Sequence, residues 1–312
     1  MLLLATIILL QAASGAYGSE SGGSPDEASH YVTGLMVHDY LVGPTWTNPV
    51  RFAEMYYIHY PKVGIGHWPP LFYALQACWM IVCSPSRASI LIFMALLIAL
   101  LAWTLYRVVA EESGKVAGVA MAMILIALPL TQFLTGMVMT EPLCALLCFR
   151  AALSYGRYID GLRWKDATAF GIWASLAIMT RGTGLLLALV PPLGVLLSRR
   201  PGMLARLSFY WPALLVCISC GPWYSLTFDM MRNGWQEHEP SLAYAIEAAR
   251  YFLGLYPATY GVTSSSWQVL VPPRPAAVPA GGVDGRWASI AALLCPYSSS
   301  TASSRAAWKR DT

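Results

Sequence analysis

The chain has 312 residues, of which 57% are hydrophobic and only 12% charged, with a mean hydropathy of +0.53. An average soluble protein carries roughly 25% charged residues, so an ordinary soluble globule is excluded. The formal net charge of +4 is too small a surplus for a nucleic-acid binder, and where the cations sit matters more than how many there are.

In chain order, residues 1–16 form a first apolar run without the basic leader of a secretory signal, and are read as a retained first span. The next run, 69–83, is short and opens with Pro69 and Pro70. Runs at 88–106 and 116–134 are the clearest spans, free of charge and close to the roughly 20 residues that a bilayer crossing requires. Further runs follow at 142–158, 167–180, 184–197 and 207–222. With a cytoplasmic N-terminus and 69–83 lying at the outer interface, Arg107, Lys115, Arg157, Arg163, Lys165, Arg199, Arg200 and Arg206 all fall inside. Only Arg181 then falls in a short outer loop, as the positive-inside rule requires. The same count splits 167–197 at Arg181, Gly182, Thr183 and Gly184. These readings predict an all-α membrane protein of about seven transmembrane helices, with a large first extracytoplasmic loop, 17–87, that contains interfacial helices.

Residues 1–225 are expected to form the transmembrane core and 226–260 an outer-side segment. Residues 261–312, with nine Ser, five Pro and four Gly, are expected to form a flexible or aberrant tail. The seven cysteines lie mostly in apolar runs, unaccompanied by His or acid, and read as packing residues.

Chemistry-bearing residues gather on the predicted outer side. Asp26 and Glu27 follow Pro25 at the start of a helix, where acids also occur simply to favour the helix dipole. Lys62 and His67 close the outer loop, with Tyr60 and Trp68 as interface anchors; solvated interface residues are the plainer reading. Glu141, before Pro142, is either another helix-start acid or a partner of Asp26 on the same side of the membrane. Arg181 lies between two short spans, and a cation there needs the interface or an anionic partner. Arg150 falls within a span, where a carboxylate or carbonyl partner is expected.

The order P-D-E-A-S-H-Y (25–31), H-W-P-P-L (67–71), T-E-P-L (140–143), T-R-G-T-G-L-L (180–186) and G-P-W-Y (221–224) resembles the GT-C membrane glycosyltransferases. Within them it is similar to the bacterial protein O-mannosyltransferase and aminoarabinose transferase relatives. The resemblance covers about residues 1–225. It implies transfer of a sugar, with inversion, from a polyprenyl-phosphate donor to a hydroxyl of a lipid, glycan or protein acceptor at the outer face of the cell membrane. Asp26 falls on the catalytic carboxylate, with Glu27 and Glu141 as companion acids, although relatives often have Asp at the position of Glu141. Lys62 and Arg181 are the expected donor-phosphate contacts, Lys62 by position alone. His67 and Trp68 stand where the aminoarabinose enzymes have Glu and Lys, which leaves a divalent metal an open cofactor and His67 an open metal or donor contact. A multi-pass transporter with a broken-span substrate path is the rival reading, and an inactive fragment of a glycosyltransferase a third.

Overall fold

A computed structural model describes residues 1–19, 24–43, 48–64, 66–234, 241–242, 246–247 and 250–251. The predicted tail at 261–312 and most of 235–260 lie outside these residues. All regular structure among the described residues is helical. The α-helices are α1 (Leu2–Ala13), α2 (Pro25–Val42), α3 (Pro49–His59), α4 (Leu71–Val82), α5 (Arg87–Ser113), α6 (Lys115–Ala127), α7 (Pro129–Thr135), α8 (Glu141–Gly161), α9 (Trp164–Thr180), α10 (Val190–Ser198) and α11 (Leu207–Gly234). Two 3₁₀ segments, Gly182–Leu189 and Pro201–Ala205, flank α10.

Length and apolarity let α5 and Leu207–Met231 of α11 cross a membrane unaided. The run expected as one clear span at 116–134 is instead two helices, α6 and α7, bent by 65°. Pro129 is the cause: it lacks an N–H and forces Leu128 out of the helical region, to φ −57° and ψ 134°. Segment 184–197 likewise divides into a 3₁₀ turn and α10, with Pro191 and Pro192 in the first turn of α10. The helical character therefore agrees with the sequence reading, while the runs at 116–134 and 184–197 are each broken into two helical segments.

The chain divides into two units. Unit 1 comprises Met1–Leu146, Met179–Gly182 and Thr227–Met231. Its core joins α1, α5 and α6 through Ile7, Ala95, Ile98, Ala99, Ala102, Ala122 and Ile126, where the alanines let the helices approach closely. Gln11 would be costly in this apolar setting, but its amide is fully used. Nε2 donates to the carbonyls of Leu91 (2.9 Å) and Thr135 (2.7 Å), and Oε1 accepts from Tyr17 Oη (2.7 Å).

Helix α4 is too short to span a membrane at about 1.5 Å per residue. It buries Phe72, Tyr73, Gln76, Ala77 and Met80 and leaves Leu75, Ile81 and Val82 exposed. Phe72 and Tyr73 are thus packed inside unit 1. Gly34 permits α4 to dock on α2: a Cβ there would lie 2.3 Å from Cδ of the fully buried Gln76. We expect Gly34→Ala to cost about 1–3 kcal/mol through overpacking, read as a lowered thermal midpoint of the purified protein. Adding Gln76→Ala should restore most of it, and no recovery in the double variant would refute the steric account.

Unit 2 is built from Leu147–Ile178 and Thr183–Leu226. A polar ladder ties α11 to α9: Trp211 Nε1 donates to Thr168 Oγ1 (2.9 Å), Ser219 Oγ to Ser175 Oγ (2.8 Å) and Tyr224 Oη to the Ile178 carbonyl (3.2 Å). Gly184 is where the chain doubles back, since a Cβ would lie 2.7 Å from the backbone of Ala177 and Ile178. Arg150 corrects its expectation: it is exposed and stands 5.2 Å from the Trp173 ring centroid, a cation–π contact in place of a carboxylate pair.

Candidate active site

Helix α2 begins as its sequence dictates. Ser24 is extended (φ −144°, ψ 143°) and its hydroxyl accepts from Asp26 N (3.4 Å), Pro25 occupies the first turn, and two acids follow. Asp26 is half-buried, whereas Glu27 is completely buried. The Glu27 carboxylate is held by Arg87 at the head of α5, with Nη2 at 2.9 Å and Nε at 3.3 Å. The same guanidinium donates to the carbonyls of Ala16 (2.7 Å), Ser19 (2.9 Å) and Gly136 (3.1 Å). Arg87 thus fastens the start of α2 to the end of α1, to α5 and to the turn after α7. Sequence reasoning passed over this residue, since an Arg at the edge of an apolar run looks like an ordinary boundary cation.

The segment before α4 is folded onto α2 by aromatic packing. Trp68 lies 4.6 Å from the His30 ring and 5.0 Å from that of His67, centroid to centroid, so Trp68 is a packed residue more than an interface anchor. Gly64 N donates to Thr33 Oγ1 (2.9 Å), and a Cβ on Gly64 would strike the Trp68 ring at 2.5 Å. Gly66, at φ +67°, lies under Thr227 and Met230 of α11. Lys62 is exposed in the turn after α3 and shares none of these contacts among the described residues.

The centre of this packing is a pair that the sequence did not single out. His30 and Tyr73 are both buried, and His30 Nδ1 lies 2.7 Å from Tyr73 Oη. Burial, with the Arg181 cation adding to it, pushes the His30 imidazole down to about 3. Burial raises the Tyr73 phenol; Arg181 opposes the rise, and Asp26 and Glu141 add to it. Asp26, Glu141 and Arg181 therefore all act electrostatically on one buried neutral pair.

Glu141 opens α8, and its Oε1 lies 2.5 Å from Arg181 Nη1, which also donates to Thr140 Oγ1 (3.2 Å). Arg181 thus has its anionic partner. The other carboxylate oxygen of Glu141, Oε2, is buried and has no hydrogen-bond partner among the described residues. A buried acceptor without a donor costs about 1–3 kcal/mol, which makes it a natural place for a substrate hydroxyl.

A profile of the Dolichyl-phosphate-mannose-protein mannosyltransferase family matches residues 67–225, half of the chain. The chain belongs to that family. In this GT-C mannosyltransferase-family chain, the matched stretch includes His67, Tyr73, Arg87, Glu141 and Arg181, while Asp26, Glu27, His30 and Lys62 precede it. The fold is also similar to the crystal structure of ArnT from Cupriavidus metallidurans in the apo state, with a TM-score of 0.59 at 16% identity. That match covers 98% of this chain and 60% of ArnT, so this family member spans less than two thirds of the length of that structure. No curated protein matches it by sequence.

As for a metal, no group of three or more His, Cys, Asp or Glu among the described residues is arranged to hold an ion. His67 has the Trp68 ring as its neighbour, and Glu141 has Arg181. Among the described residues, these side chains do not form an assembled donor set for a divalent cation.

The buried His30 predicts an acid response. Between its ordinary value near 6.5 and its folded value of about 3, the unfolded chain binds a proton that the folded chain refuses. The contribution of His30 is therefore complete above pH 6.5 and is lost as the pH falls toward 3. Thermal midpoints of the wild type should decline more steeply between pH 7 and pH 4 than those of His30→Gln; parallel curves would contradict the assignment.

Proposed function

We propose that the protein transfers a sugar, with inversion, from a polyprenyl-phosphate donor to an acceptor hydroxyl at the outer face of the membrane, with Asp26 as the base. The observation that carries this reading is the convergence of Asp26 and the Glu141–Arg181 pair on the buried Tyr73–His30 centre of unit 1. The family description, with its dolichyl-phosphate-mannose donor and protein acceptor, supports the donor class; dolichol is a polyprenol, and the donor bond is an acetal phosphate.

In this reading the acceptor oxygen attacks the anomeric carbon as the sugar–phosphate bond breaks. Asp26 takes the hydroxyl proton, and the bonding electrons leave on the phosphate. A guanidinium has five donors, so Arg181 can hold Glu141 and the departing phosphate together, neutralising charge where it develops. Glu141 Oε2 is suited to accept from a sugar hydroxyl, orienting the ring. Lys62, exposed in its turn, is the outer cation that meets the donor phosphate as it arrives. Glu27, locked by Arg87, positions Asp26 and does not itself react. His67 is proposed to contact the donor beside Trp68. Residues 1–225 form the catalytic core, with its active site facing the outside of the cell membrane.

The test is transfer itself. Membranes containing the full chain should move labelled sugar from a polyprenyl-phosphate donor to an endogenous lipid, glycan or protein acceptor, above the level of membranes lacking it. Donor-independent uptake of sugar into sealed vesicles, without transfer, would favour the transporter instead.

A further inference from the structure

One end of unit 2 gathers the cations of four helices. Arg157, near the end of α8, and Arg163, in the turn before α9, share the buried Asp166, at 3.6 Å and 2.8 Å. Arg200, after α10, donates from Nη1 to the carbonyl of Ile159 in α8 (2.6 Å). Tyr158 Oη and Ser208 Oγ meet at 2.8 Å, which brings the start of α11 to the same place, and the Trp164 and Trp211 rings lie 6.0 Å apart. Lys165, Arg199 and Arg206 complete the group. All three are exposed, and no carboxylate pairs with any of them among the described residues.

Two further observations mark this end as built for a ligand. Leu162 (φ 50°) and Arg199 (φ 54°) are the two non-glycine residues with left-handed backbone among the described residues, and both lie here. Arg199 ends α10 in the position where Gly is easiest, so a charged side chain is held where the backbone disfavours it. Exposed Trp164 adjoins Lys165, and exposed Tyr210 donates to the Leu204 carbonyl two residues before Arg206; aromatic rings of this kind favour a membrane–water boundary.

We infer that this end of unit 2 is a binding platform for anionic phospholipid headgroups, with Lys165, Arg199 and Arg206 holding phosphate oxygens and Trp164 and Tyr210 lying at the level of the acyl ester groups. Charge complementarity carries the choice of occupant. Cations without carboxylate partners, at the depth marked by Trp and Tyr, meet the negative headgroup layer of a leaflet before any solute. The platform is separate from the proposed transfer chemistry, and either can fail without the other.

The experiment uses the purified full chain in nonionic detergent, titrated with dioleoyl phosphatidylglycerol or dioleoyl phosphatidylcholine and followed by native mass spectrometry and thermal midpoint. Phosphatidylglycerol should bind and raise the midpoint at low salt and lose its effect at high salt, whereas phosphatidylcholine should do neither. The variant Lys165→Gln, Arg199→Gln, Arg206→Gln should bind phosphatidylglycerol at least about tenfold more weakly, on the scale expected for losing several interfacial cations. Arg107→Gln with Lys115→Gln, in unit 1, should bind as the wild type does. Because the triple variant can misfold, Lys165→Arg, Arg199→Lys, Arg206→Lys is made beside it and should retain binding. Equal effects of the two lipids, equal losses in the control variant, loss of binding in the charge-retaining variant, or full substitution by soluble glycerol phosphate would each overturn the inference.

Discussion

Asp26→Asn is expected to lower sugar transfer by about 10²–10⁴-fold, the usual contribution of a positioned general base, while membrane insertion and thermal midpoint stay near wild type. The separation follows from the local structure. Asp26 is half-buried and its carboxylate is not part of the clamp that fixes the helix start, so an isosteric amide removes the proposed base and leaves the cap formed by Ser24 and Pro25 in place. Unchanged transfer by Asp26→Asn, in membranes where the wild type is active, would sink the assignment. A loss matched by a fall in midpoint would make Asp26 structural. Glu141→Gln distinguishes the neighbouring roles, since it keeps an acceptor for a sugar hydroxyl but releases Arg181, and should raise KM for the donor more than it lowers kcat.

Arg87→Met should destabilise unit 1 by about 3–5 kcal/mol, because it removes the cation paired with the fully buried Glu27 carboxylate. Pairing it with Glu27→Gln should recover part of that loss by removing the buried negative charge that Arg87 balanced. The recovery stays incomplete, since the carbonyls of Ala16, Ser19 and Gly136 still lack their donor. Denaturation of the wild type, the two single variants and the double variant in one detergent closes the cycle. Equal stability of Arg87→Met and wild type would show that the clamp is not what holds α2 in place.

Much of the architecture was legible because its cause is local or compositional. The charge-free apolar run at 88–106 forecast α5, the run at 142–158 forecast α8 despite Arg150 and Arg157, and the Ser–Pro–acid order forecast the start of α2. The break after Thr180 was visible too, since charge placement and two glycines both demanded it. The bend at Pro129 carried its own local signal, yet the surrounding hydropathy outweighed it and the run read as one span.

The charged residues of the candidate site were legible as a set, but their division of labour was not. Asp26 and Glu27 are adjacent and chemically alike. Only the arrival of Arg87 from a helix sixty positions away separates a clamped carboxylate from a half-exposed one. His30 and Tyr73 look like ordinary members of amphipathic helices until α4 packs on α2 and buries them together. By itself the sequence determined the helical membrane class, because hydropathy is summed along the chain. Tertiary structure alone decided which acid is locked, which is open, and which buried pair they surround, because burial and ion pairing depend on partners that the chain brings together only on folding.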